Sequence, residues 1–295
     1  MARVVAGPRA IAWAVTIAAV ALASQARPIT ARVPATAGPY TILTADFHVH
    51  SFPGDGGLPP WDLATEARRR GLDVIALTSH NSLASWRLAQ WIAPRADGAM
   101  LLPGIELTSV GYHMAAVGVR HPVGWRQPPA AAAAEVHARG GIAIAAHPSL
   151  AHSRFDEAAL DALDGFEAAS SNDPIADLAP FSTRAITYRP SLAAIGASDF
   201  HYYAPLGVSR TFVFVTERSP AGVFDAVRRG RTVACDAFGD TYGPAELAAV
   251  VSAECRRVTS ARPEGWGAIP AVTTGATWIG LFVLVALGAR ERSLE

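Results

Sequence analysis

Residues 44–50 read Thr-Ala-Asp-Phe-His-Val-His, and residues 197–201 read Ala-Ser-Asp-Phe-His. Each closes an apolar run, TILTADFHV in the first case and LAAIGASDF in the second. Side chains alternate along a strand, so residues i and i+2 point the same way. His48 and His50 can therefore bind a metal from one face, and so can Asp199 and His201. Either pattern alone is a weak signal; two in one chain, each at the end of an apolar run, reinforce each other.

Further strand-like runs lie between them. They end in Thr78-Ser79-His80, in Gly104-Ile105-Glu106 followed by Tyr112-His113, and in Ala145-Ala146-His147-Pro148. Helical stretches such as WDLATEARRR and AAAAEVHAR separate the strands. Strand–helix alternation with apolar strands predicts a largely parallel sheet covered by helices, either open or closed into a barrel. Short polar loops with Gly and Pro follow many of the strands, where active-site loops of such folds belong.

A lone histidine at a strand end is more often a hydrogen-bonded structural residue than a ligand. That bland reading suits His121, His137 (on a predicted helix and solvated) and His152. It suits His48, His50, His80, His147 and His201 poorly, because all five fall on successive strand ends. His113 is intermediate: its spacing from Glu106 fits a hairpin, but strand packing would also explain it.

The chain has 295 residues, 51% hydrophobic and 17% charged, which is too apolar for a disordered chain. Its formal net charge is zero, so no basic balance draws it onto nucleic acid. Residues 10–26 carry no charge and follow Arg3 and Arg9, the layout of a secretory signal or a retained anchor. Residues 267–289 are also uncharged and precede Arg290 and Arg292, long enough for a transmembrane helix. The expected organisation is a signal or anchor with linker over 1–37, a catalytic domain over 38–255 and a linker over 256–266. A transmembrane helix over 267–289 and a basic tail over 290–295 complete it. Cationic residues outside both apolar segments place the domain on the extracytoplasmic side. Cys235 and Cys255 would meet an oxidising compartment, yet a domain this large needs no staple, and no bond between them is expected.

The motifs resemble, in order, those of the polymerase and histidinol phosphatase (PHP) family of metallohydrolases. DFHVHS with the DG of FPGDGG is similar to its first motif, GLDVIALTSHNS to the second and LPGIELTS with its following histidine to the third. GGIAIAAHPS and GASDFH are similar to later ones. The resemblance covers residues 46–236 and implies a distorted (β/α)7 barrel with two or three divalent metals, usually zinc, manganese or iron. It also implies that His48, His50, Glu106 and Asp199 hold one metal. Glu106 would bridge to a second, held by His113 and His147, and Asp55, His80 and His201 would hold a third. The family often has Asp where Ser79 stands, and Ser79 is expected to orient His80.

Metals of this kind suit imidazole and carboxylate ligands, and a water shared between two of them becomes hydroxide near neutral pH. The expected function is metal-dependent hydrolysis by that hydroxide, acting through His48, His50, Glu106 and Asp199. Loaded with three divalent ions, the three carboxylates leave a positive surplus that favours a small anionic substrate, and a phosphoester leads. Arg154, Arg210 and His152 are candidates to touch it. The later region, SDFHYYAPLGVSRTFVFV, resembles the branch related to carbaryl hydrolase, which points to aryl carbamates or esters as an alternative substrate. A non-catalytic, membrane-anchored metal-binding module is the alternative of another class. A nuclease role is disfavoured by neutral charge and export.

Overall fold

A computed structural model describes residues 33–91, 98–149, 154–201 and 205–260, together with Ala12. Ile29–Pro263 form one compact unit. The apolar segments 10–26 (Ala12 apart) and 267–289 lie outside the described residues. Among those described, no helix is long and apolar enough to cross a membrane.

The strands are β1 (Thr36–Ala37), β2 (Tyr40–Val49), β3 (Val74–Leu77), β4 (Met100–Ser109), β5 (Tyr112–Val117) and β6 (Ile142–Ala146). They continue with β7 (Gly165–Ser170), β8 (Ala193–Ala197), β9 (Arg210–Val215), β10 (Thr232–Cys235) and β11 (Thr241–Tyr242). The helices are α1 (Pro60–Arg69), α2 (Ala84–Trp91), α3 (Pro129–Ala138), α4 (Glu157–Ala162), α5 (Ile175–Tyr188), α6 (Pro220–Arg228) and α7 (Ala245–Ser260). Several begin as their sequences predict. Pro60, Pro129 and Pro220 occupy first turns, where a missing N–H costs nothing. Asp156 and Ser219 cap α4 and α6 by accepting from Ala159 N and Gly222 N.

All strands form one sheet in the order β11-β10-β9-β2-β3-β4-β5-β6-β7-β8, with β1 on β2. The sheet is mixed, not largely parallel. The runs β2–β3–β4 and β6–β7–β8 are parallel, whereas β4–β5–β6 and β2–β9–β10–β11 are antiparallel. The physical reason lies at Val110-Gly111. Two residues are too few for a crossover, so β4 and β5 must form a hairpin, and Gly111 takes the positive φ (+90°) that its turn needs.

The sheet curls into a nearly closed barrel because β8 returns to β2, β9 and β10. Thr211 Oγ1 donates to the Gly196 carbonyl (2.8 Å) and accepts from Gly196 N (3.0 Å), and Thr232 Oγ1 donates to the Ala194 carbonyl (2.9 Å). Only glycine fits at position 196: a Cβ there would lie 2.3 Å from the Arg210 carbonyl oxygen. Higher up, Val49 bridges Phe200, and His50 N donates to Phe200 O (2.9 Å). A core containing Leu43, Ala45, Phe47, Val74, Val117, Ile144 and Ile195 draws on strands all round the barrel, with α6 packed on it through Val223 and Val227.

Two expectations are corrected at the C-terminal end. Helix α7 runs on to Ser260, so 256–260 are helix and not linker. Cys235 and Cys255 do form a disulfide, which joins the end of β10 to α7. After β11 the chain turns back, and α7 lays Val251 and Cys255 on Ile42, Phe212, Phe214 and Val233. Domain size does not govern this pair; the return of α7 does. Closing a loop of 20 residues removes unfolded-state entropy worth about 3 kcal/mol. Cys255→Ser is therefore expected to lower unfolding stability by roughly 2–4 kcal/mol. Denaturant melts under non-reducing conditions check this, and a melt identical to wild type would contradict it.

Candidate metal centre

The eight histidines and carboxylates singled out at strand ends gather at one end of the barrel, and Asp55 joins them from the loop after β2. Together they form four overlapping groups that could hold a metal ion. These are His48, His50 and Glu106; His48, His147 and Asp199; Glu106, His113 and His147; and His50, Asp55, His80 and His201. Regular alternation would turn His48 and His50 away from Phe47, which belongs to the barrel core. A register shift between Asp46 and Val49 relieves this conflict. Behind His50, the Asp55-Gly56 turn packs so tightly that a Cβ on residue 56 would lie 2.1 Å from the His50 carbonyl.

His48 Nε2 and His50 Nε2 are 3.1 Å apart. Both lie 3.2 Å from Asp199 Oδ1 and 3.4 Å from Glu106 Oε2. On its other oxygen, Glu106 is 2.7 Å from His113 Nδ1 and 3.3 Å from His147 Nε2. Asp55 lies 2.8 Å from His50 Nδ1, 3.2 Å from His80 Nε2 and 3.3 Å from His201 Nε2. Glu106 Oε2 and Asp199 Oδ1 are buried yet make no hydrogen bond of acceptable geometry, despite the imidazole nitrogens beside them. Lone pairs thus converge on shared points, which is costly among protons alone and favourable around a cation. Imidazole nitrogens with carboxylate oxygens are the donor set of borderline divalent ions, so the residues present fit zinc, manganese or iron.

The field is correspondingly strong. Burial pushes the Glu106 and Asp199 carboxyls up, but His48 and the other imidazoles outweigh it and hold both well below the usual carboxylate range. Asp55 is lowered in the same way: burial opposes it, and His201 and His50 prevail. Burial depresses the His50 imidazolium, but Asp199, Asp55 and Glu106 raise it to about 10, and His48 is raised too.

A second layer orients these groups. Glu167 Oε1 lies 2.8 Å from His48 Nδ1, and its Oε2 accepts from His147 N (2.9 Å). Thr108 Oγ1 is 2.6 Å from His80 Nδ1, and Asn172 Nδ2 donates to Asp199 Oδ2 (2.9 Å). None of the three was singled out in the sequence. A signal existed for Glu167 alone, as the one charge inside the wholly buried strand GFEAAS. His147 and Asp199 both take positive φ (26° and 45°), a conformation non-glycine residues rarely hold without compensation.

Three outlying expectations change. Ser79 does not orient His80: its hydroxyl donates to Ser51 O (3.2 Å) and meets Ser85 Oγ (3.1 Å), and Thr108 engages His80 in its place. His137 is not merely solvated, since its Nε2 lies 2.7 Å from Asp164 Oδ2. Arg210 is buried, and its Nη1 donates to Arg70 O (3.0 Å) at the end of α1. Its neighbour Thr211 reaches Gly196, so alternation turns Arg210 to the other face of β9, away from any role at the rim. Arg154 does stand beside the β4–β5 hairpin, where its N donates to Gly111 O (2.9 Å). His152 lies outside the described residues.

Metal analysis of the purified protein is expected to find at least two divalent ions per chain, and Glu106→Gln to lose more than one of them. Glu167→Gln should weaken metal affinity by about 10–100-fold while leaving the ligands in place. The raised His48 and His50 bind protons below their folded values, and each metal must displace those protons. Affinity should therefore rise with pH and loading should release protons, as calorimetry in buffers of different ionisation enthalpy can check.

No family model matches the chain. A 5'-3' exoribonuclease of Haemophilus influenzae is 36% identical over 64 residues, 22% of this chain. The match spans 23% of that relative's length. Among solved structures, similarity extends to a two-domain protein of Bacteroides vulgatus containing a predicted PHP-like metal-dependent phosphoesterase. The two are 24% identical over 71% of this chain and 69% of that one, with a TM-score of 0.56. PsfC of Pseudomonas syringae is 18% identical over 73% of this chain and 98% of its own, with a TM-score of 0.51. This likeness shows that the chain shares the barrel fold of the Bacteroides vulgatus protein.

Proposed function

We propose that the protein is a metal-dependent hydrolase acting on small phosphoesters. The observation that carries this reading is the convergence of Asp199 Oδ1 and Glu106 Oε2 on the Nε2 atoms of His48 and His50, with the other Glu106 oxygen facing His113 and His147. Divalent cations held there supply a Lewis acid and lower the pKa of water. The protein's own part is positional. Glu106 reaches two of the groups at once, Glu167 fixes the His48 tautomer, and Asn172 keeps Asp199 aimed at both histidines. A loaded centre carries more positive charge than its three carboxylates cancel, which favours an anionic substrate. Arg154, whose backbone and side chain lie against the Gly111 turn that leads to His113, is the candidate to meet such a substrate.

The same reading places the enzyme outside the cytoplasm. The Cys235–Cys255 disulfide supports an oxidising compartment, and the uncharged segments 10–26 and 267–289 support export and a membrane tether.

The test is a panel of phosphomonoesters, phosphodiesters, aryl carboxylic esters and aryl carbamates, run on the full-length protein before and after chelation. Turnover of phosphoesters that is lost on chelation and restored by Zn, Mn or Fe is expected. Turnover of only the esters or carbamates would overturn the substrate class, and a loaded protein inert across the panel would overturn catalysis. His48→Ala should reduce turnover to background. His137→Ala should leave kcat unchanged and cost about 1 kcal/mol of stability for the lost Asp164 contact.

A further inference from the structure

Asp173, in the Ser171–Pro174 loop that follows β7, belongs to none of the four ligand groups. The loop is pinned against the end of β8. Ser171 N donates to Ala197 O (3.2 Å), and Asn172 Nδ2 donates to both Asp199 O (3.0 Å) and Asp199 Oδ2 (2.9 Å). Pro174 follows and restricts residue 173 to extended backbone. Asp173 is thus carried on a fixed loop next to a ligand-bearing one. It is half-buried, and Ser170 Oγ donates to its Oδ2 (3.3 Å).

Three charged groups act on it from three neighbouring strands: His147 just past β6, Glu167 within β7 and Asp199 from beyond β8. Burial raises its carboxyl above the usual range. His147 opposes this, Glu167 adds to it, Ser170 opposes and Asp199 adds. A carboxyl that stands beside a metal cluster without ligating it is free to serve the other end of the reaction.

We propose that Asp173 is the general acid, the group that protonates the leaving-group oxygen of a phosphoester bound at the centre. This rests on the phosphoesterase reading above. As water attacks, its oxygen forms the new P–O bond and its proton passes to solvent. The ester P–O bond breaks with its electron pair on the leaving oxygen, which takes the proton of the Asp173 carboxyl. Solvent then reprotonates Asp173. General acids of this kind contribute about 10²–10⁴-fold when the leaving group is a poor one.

The experiment compares wild type, Asp173→Asn and Asp173→Glu on 4-nitrophenyl, phenyl and alkyl phosphates, with metal content measured in each. The 4-nitrophenolate leaves without a proton, whereas an alkoxide does not. Asp173→Asn should slow the alkyl ester by about 10²-fold or more and leave the 4-nitrophenyl ester nearly unchanged. It should also remove the alkaline limb of the kcat/KM profile for the alkyl ester, keep its full metal content, and be partly rescued in Asp173→Glu. A uniform loss on all three esters, or lost metal, would mark a structural role and overturn the proposal, as would no change on any. If wild type hydrolyses no phosphoester, the phosphoesterase reading fails first and this assignment falls with it.

Discussion

Asp46, on β2, ties the β8 end of the curled sheet back across the barrel directly beneath the histidines. Its fully buried carboxyl accepts from His48 N (3.2 Å), Ser198 N (3.1 Å), Ser198 Oγ (2.5 Å) and Gly207 N (3.0 Å). Burial lifts its pKa to about 6 in spite of those bonds. Residue 46 is two positions before one ligand and Ser198 one position before another. The bonds that close the barrel therefore also set the spacing of His48 and His50 against Asp199. Closure and metal geometry are one constraint.

That coupling explains where backbone freedom is used. Gly196 lets β8 approach β9 and β10, and Gly56 lets the Asp55 turn lie against His50. His147 and Asp199 sit in the left-handed region without being glycine, a conformation costing on the order of 1–3 kcal/mol each. Contacts from Glu167 to His147 N and from Asn172 to Asp199 hold them there. The strain falls at strand ends, where a ligand must leave the strand's direction to face its neighbours.

Much of the candidate site is legible in the sequence because strand alternation is local. HxH brings His48 and His50 into one group and an apolar run locates the strand end, whereas Asp199 and His201 lie past the end of β8 and join different groups. Glu167, Thr108 and Asn172 are not legible in that way. Each acts through a partner 27 to 119 residues distant, and nothing within its own strand or loop names that partner. Arg210 shows the converse: it follows a loop as a rim residue would, yet alternation with Thr211 turns it toward α1.

The sequence by itself determined the strand ends that carry the ligands, the donor types and the pairing of His48 with His50, since these follow from periodicity and side-chain chemistry. Only the tertiary structure decided the antiparallel β4–β5–β6 segment, the Cys235–Cys255 bond, the burial of Arg210 and the placing of Asp173 beside the ligands. Each of these depends on which remote segments meet when the barrel closes. Meeting is a property of the whole packed core, and no window of residues encodes it.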